Sequence, residues 1–240
     1  MVMSKIFCKF AFFYFLMVFD SYAFAERSSA LGADQAQVIL DGALKMIRQD
    51  YTENLAFIER VTRGDNTVVG DYDPGREESP WILLSLDGAA PEAKDSDKYV
   101  KDKIKQTENL KKFPERSPLG VKTMIEVGSL HLIEEQAERW LFAFTPTGED
   151  QKMMRKMKGK LSINKTGNYL EWMDVRSEKP FKVNLVTKMK EFVMHYEFQP
   201  FAGGQVVPTS FEFRIHIAVG GIDVADERLF ANYSGYKLVN

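Results

Sequence analysis

From Asp34 onward, apolar positions recur at helical spacing: Ala36, Leu40, Ala43, Leu44 and Ile47. They predict one amphipathic helix over 34–50, with Asp34 as N-cap and Gln37 completing a capping box. Alternation then takes over. Leu55, Phe57 and Val61 share one face of a strand and Ile58, Arg60 and Thr62 the other. Asp65-Asn66 reads as a hairpin turn, 67–72 as the return strand, Asp73-Pro74-Gly75 as a turn and 81–86 as a short apolar strand closed by Asp87-Gly88. Residues 89–120 break the alternation. They are dense in Lys, Asp and Glu, and only Tyr99, Val100, Ile104 and Leu110 give them an apolar stripe. A surface helix ending before Pro114 is expected there, with an unstructured charged loop as the alternative. Strand patterns then return at regular intervals: 125–133, 138–145, 158–164, 169–175, 181–198 with a break, 205–219 and 228–238.

Consecutive strands joined by short turns predict an antiparallel meander, because a parallel sheet needs helices between its strands. The expected class is α+β. A curved antiparallel sheet, a half-barrel of about ten strands, is covered by the N-terminal helix and the second helical segment. No internal boundary is visible, so 26–240 reads as one domain.

The richest signal is aromatic. Trp140, Phe142 and Phe144 share a strand face, as do Phe192, Met194, Tyr196 and Phe198, and again Phe211, Phe213, Ile215 and Ile217. Glu212, Arg214 and His216, and His195 with Glu197, fall on the opposite faces. A one-residue slip would expose the aromatic set, so the register is fixed. Two outcomes follow. The rings pack on one another and fill the core, or the sheet curls around a cavity lined by Trp140, Phe142, Phe144, Phe192, Met194, Tyr196, Phe198, Phe211 and Phe213, closed by the helix over 34–50.

The first 25 residues read as an address. Lys5 and Lys9 precede an apolar run from Phe10 to Phe19, and Ala23-Phe24-Ala25 offers a small-residue cleavage site, the pattern of a secretory signal peptide. A membrane span would need about 20 apolar residues, and Lys9 and Asp20 interrupt this run. Cleavage near Ala25 removes Cys8, the sole cysteine, so the exported chain holds no thiol or disulfide; a periplasmic location is expected.

This layout, with Tyr196-Glu197-Phe198-Gln199-Pro200, Val207-Pro208-Thr209 and a last hairpin ending Tyr233-Ser234-Gly235-Tyr236-Lys237, resembles the periplasmic lipoprotein-carrier superfamily of LolA/LolB-like half-barrels. The resemblance implies an incomplete barrel whose helical lid encloses acyl chains. Carriers of that family hold the lid with an arginine inside the cavity, and no position here matches it. The charged 92–112 stretch is a second departure.

Charge and composition narrow the remaining classes. The 240 residues carry a net charge of −2, which is no footprint for nucleic acid. His131, His195 and His216 form no ligand spacing, so no metal and no cofactor is expected, although His195 and His216 share a polar face and could meet across the sheet. No Gly-x-Ser-x-Gly elbow or phosphate-binding glycine loop occurs, and enzymatic activity has the least support. Lys152, Arg155, Lys156, Lys158 and Lys160 flank Met153, Met154 and Met157: a solvated turn, or a membrane-surface contact in which methionines meet acyl chains. The expected function is a carrier for a hydrophobic, lipid-like ligand. The alternative is an envelope interaction protein with a filled core, working through its charged 89–120 stretch.

Overall fold

The computed structural model describes residues 31–47, 51–112, 120–148 and 151–239. The signal-peptide reading lies outside these residues. Helix α1 spans Ala33–Met46 and the short α2 spans Tyr51–Asn54. Strands β1 (Leu55–Arg63), β2 (Asn66–Tyr72) and β3 (Trp81–Leu86) form a meander that leads into α3 (Ala93–Lys112). A 3-10 turn at Gly120–Met124 precedes β4 (His131–Glu135) and β5 (Arg139–Phe144). The one-turn helix α4 (Gln151–Met154) is followed by β6 (Lys158–Asn164), β7 (Tyr169–Arg176), β8 (Phe181–Lys182), β9 (Thr187–Pro200), β10 (Val206–Val219) and β11 (Ile222–Leu238).

All eleven strands join one antiparallel sheet, in the order β3-β2-β1-β11-β10-β9-β7-β6-β5-β4, with β8 on the edge of β9. The class is therefore α+β with one large open sheet. The first and last strands pair in its middle, Glu59 opposite Tyr233 and Val61 opposite Ala231. The meander thus runs unbroken from β3 to β4, and these two edges are the ends of the longest strand-free connection. Directly opposed residues share a face, so register traces a single inner face across the sheet. It runs from Trp81 through Tyr72, Phe57 and Tyr233 to Ala231, Phe211, Tyr196, Met173, Leu161 and Phe142.

Both long helices cover this inner face. Ala36, Leu40, Ala43 and Leu44 of α1 are buried at i, i+4, i+7 and i+8, in one cluster with Leu161, Ile163, Leu170, Met173 and Phe142. A smaller cluster of Phe57, Tyr72 and Trp81 lies against Tyr99 and Val100 of α3, and Tyr233 and Tyr236 of β11 join it. Two glycines admit these contacts. A Cβ on Gly159 would come within 2.4 Å of the Phe144 ring, and one on Gly70 within 1.8 Å of Tyr99 Oη.

The structure shifts several predicted boundaries. Helix α1 is capped at Gly32, whose N–H donates to Gln35 Oε1 at 3.3 Å, so Asp34 sits in the first turn, where a carboxylate favours the helix dipole. It ends at Met46, not near Asp50, because Ile47 turns extended and forms a parallel bridge with Val206. The first hairpin turns at Gly64-Asp65, one residue earlier than expected: Arg63 pairs with Asn66, and Gly64 takes φ +57°. Residues 125–130 are not strand. Ile125 makes only an isolated bridge to Pro146, and Ser129 Oγ accepts the Thr145 N–H at 3.0 Å, which satisfies the backbone without a ladder. The charged 89–120 stretch does contain the expected helix.

Candidate functional site

The nine aromatic and methionine positions singled out in the sequence all face the inner side, in the cluster beneath α1. Phe142, Phe144, Phe192, Tyr196 and Phe198 are buried, while Trp140, Met194, Phe211 and Phe213 are half-buried. The rings interlock. Tyr196 stacks on Phe211 with centroids 4.7 Å apart, and Phe192 meets Phe213 edge-on at 5.8 Å. Of the half-buried members, Met194, Phe211 and Phe213 form an apolar strip on β9 and β10 with their neighbours Ile215 and Ile217, while Trp140 stands apart on β5.

A cleft of about 790 Å³ opens between α3 and edge strand β3. Trp81, Leu83, Val100 and Ile104 give it apolar walls; Arg76, Ser79 and Lys101 stand among its polar lining. Beside it, Lys103 of α3 donates to Glu59 Oε2 of β1, with only 13% and 10% of the two side chains exposed. The Lys103 ammonium also lies 4.5 Å from the Trp81 ring centroid and 5.7 Å from that of Tyr99. Tyr99 Oη and Trp81 Nε1 are buried without hydrogen-bond partners. Burial, reinforced by the nearby Glu59 and Asp71 carboxylates, pushes the Tyr99 phenol far above its ordinary range, so it stays protonated. The sequence reading missed the Lys103–Glu59 pair. The signal was present, because strand alternation puts Glu59 on the inner face between Phe57 and Val61, where a carboxylate needs a cation.

The outer face is polar and organised around Asp174. Burial raises its carboxyl pKa, but the Arg176 guanidinium and His195 outweigh that and hold it below the ordinary value. His195 Nδ1 lies 3.4 Å from Asp174 Oδ1 and its ring stacks on Trp172 at 6.1 Å. The Asp174 carboxylate beside it raises the imidazole pKa, against a smaller opposing effect of burial. Ser210 Oγ donates to Glu197 Oε2 at 2.8 Å, so this serine is not directed at His195. His195 and His216 do not meet. His195 lies opposite Glu212, while His216 lies opposite Glu191 and places Nε2 2.9 Å from Asp223. Among the described residues, no group of three His, Cys, Asp or Glu side chains is arranged to hold a metal ion.

The basic cluster at 152–160 is exposed, but its methionines are not offered to a membrane. Met154 and Met157 are buried in the core and Met153 packs against it: α4 carries Met153 and Met154, and the turn after it, closed by the Met157 N–H on Met154 C=O at 2.9 Å, brings Met157 in.

No protein-family model and no curated protein matches the chain. Among solved structures it is similar to one from Vibrio parahaemolyticus described as a domain of an outer membrane lipoprotein-sorting protein, at 8% identity over 86% of this chain and 93% of that one, with a TM-score of 0.37.

Proposed function

We propose that the protein is a periplasmic carrier, exported by removal of residues 1–25, that binds a lipid-like apolar ligand on the inner face of its half-barrel. The observation that carries this reading is the uneven covering of that face. Helix α1 seals one half, α3 rests on a small aromatic cluster over the other, and a cleft of about 790 Å³ with apolar walls remains beneath α3. That volume lies within the roughly 300–1,000 Å³ typical of small-molecule sites. The half-buried strip of Met194, Phe211 and Phe213 is the second contact surface, with Trp140 a separate contact on β5 and Phe142, Phe144, Phe192, Tyr196 and Phe198 buried in the same cluster. Burying about ten methylenes at ~0.8 kcal/mol each gives roughly 8 kcal/mol, a dissociation constant near the micromolar range before ordering costs. Exchange proceeds by release of α3, which opens the cleft without unpacking α1.

Native mass spectrometry of protein recovered from the periplasm, followed by titration of delipidated protein with a fluorescent fatty-acyl probe, tests this. Bound lipid and saturable uptake are expected. An Ile104→Trp variant, which puts an indole into the cleft from a position exposed over it, loses most uptake while keeping its melting temperature. A clean unliganded mass together with no probe uptake overturns the reading in favour of an interaction protein with a closed core.

A further inference from the structure

The central hairpins project beyond the rest of the sheet. The last pair between β7 and β9 is Arg176 with Val193, yet β9 begins six residues earlier, at Thr187. The last pair between β1 and β11 is Arg63 with Leu229, yet β11 begins seven residues earlier, at Ile222. Strands β9, β10 and β11 thus run on as a tongue past the ladders of β7 and β1, edged by the two-residue β8; Met189 and Ala218 keep its base buried, and its end turns stand in solvent.

The end of this tongue is apolar and open to solvent. Leu185 is 95% exposed, Ile222 73%, Val186 61% and Val224 58%. They sit on two turns that touch: Gly220 N–H donates to Val186 C=O at 2.8 Å, and Val219 pairs with both Thr187 and Ile222. The turns are pre-formed. Asn184 Oδ1 accepts the N–H groups of both Val186 and Thr187, at 3.1 and 2.8 Å, which holds Leu185 at the apex. Single exposed apolar side chains are ordinary, but a contiguous group at the apex of a projection marks an interaction site. Behind the apex the ladder sets Lys182 directly opposite Lys188, both exposed. Like charges opposed across a ladder weaken a sheet, so this pair does not stabilise the hairpin that carries it. The nearby carboxylate Asp223 is already engaged by Lys190 and His216.

We infer that this tongue docks on an anionic lipid bilayer, with Leu185, Val186 and Ile222 entering the interface and Lys182 and Lys188 meeting the headgroups. Apolar residues at an apex with lysines one step behind match the polarity profile of a membrane surface, apolar inside and anionic outside. The inference needs no cargo and stands apart from the carrier reading.

The test is partitioning of the purified protein onto vesicles of phosphatidylethanolamine with phosphatidylglycerol, compared with phosphatidylcholine alone. Binding to the anionic vesicles that weakens with salt is expected. The Leu185→Ser/Ile222→Ser variant loses about tenfold or more in partitioning. Lys182→Glu/Lys188→Glu loses at least about fivefold per lysine. Val38→Ser, exposed on α1 away from the tongue, binds as the wild type does. Thermal unfolding confirms that each variant is folded. A Leu185→Trp reporter gains quenching by brominated lipid beyond that of the native tryptophans. Wild-type protein left in the supernatant overturns the inference, as does equal binding to phosphatidylcholine or unchanged binding of the Leu185→Ser/Ile222→Ser variant. A solution dimer that this variant dissociates also overturns it, assigning the apex to a second copy of the chain.

Discussion

Replacing Lys103 by Met removes one ammonium and keeps most of the stem that packs beneath α3. The Glu59 carboxylate is then left in a pocket where it was 10% exposed, with its cation gone. Breaking a fully buried pair costs about 3–5 kcal/mol. The residual exposure at both ends admits some water and reduces that to about 2–3, while the lost ammonium contacts with the Trp81 and Tyr99 rings add up to about 1. The expected destabilisation is about 3 kcal/mol. In a domain of this size that is a fall of about 6–12 °C in melting temperature. If α3 leaves the sheet as a unit before the sheet itself melts, the same energy instead accelerates amide exchange over 93–112 by about a hundredfold, with α1 unaffected. Circular-dichroism melts and hydrogen exchange read the two cases. The companion variant Lys103→Met/Glu59→Met replaces both charges with apolar groups and should recover most of the loss. A single variant within about 0.5 kcal/mol of wild type by both measurements would refute the reasoning, as would a double variant no better than the single one.

Four further outcomes follow. Gly70→Ala pushes a methyl group into Tyr99 Oη and should loosen α3 by about 1–3 kcal/mol, seen as faster exchange over 93–112; adding Tyr99→Phe recovers part of it, since the ring carbon Cζ still stands 2.8 Å away. Gly159→Ala collides with the Phe144 ring at 2.4 Å and should lower the melting temperature more than Gly70→Ala does, because the clash lies in the larger core; Phe144→Leu relieves it. His195 has a raised folded-state pKa, so its contribution to stability is full below its unfolded value near 6.5 and fades as pH rises through the folded value; urea melts at increasing pH above 6.5 should show that decline, and His195→Gln should abolish it. Asp174 has the opposite sign: its lowered pKa contributes stability that is lost on acidification, and Asp174→Asn should flatten the acid limb of the same profile.

The sheet was legible because its information is local. Alternation with aromatic residues on one side and charges on the other fixes register in β9 and β10, and β3 and β6, bounded by turn residues such as Asp87-Gly88, fall at their predicted bounds. The inner-face assignment of all nine site positions rests on the same periodicity. Their degree of burial was not legible, since it depends on where α1 lands, and alternation says nothing about which helix covers which strands. The 125–130 segment failed for a related reason. Its apolar residues Ile125 and Leu130 are buried, but on a turn whose backbone is satisfied by Ser129 and by the isolated bridge to Pro146. At Lys152–Lys160 the sequence allowed a solvated turn or a membrane contact through the methionines; α4 and the turn after it instead bury Met154 and Met157.

The topology explains why the two helices are unequal. Since β1 pairs with β11, the sheet could close only between β3 and β4, and the chain between those edges holds α3 rather than a strand. Helix α1, by contrast, covers the same inner face toward the β7 to β4 end of the sheet, with Ala36, Leu40 and Ala43 almost wholly buried and its C-terminus tied through Ile47 to Val206. Helix α3 holds to β1–β3 through Tyr99, Val100 and the Lys103–Glu59 pair, and leaves Ile104 exposed over the cleft. Fewer buried apolar contacts mean a lower free energy of local release. Helix α3 is therefore the covering element that releases first, and the Lys103–Glu59 pair sets how often it does.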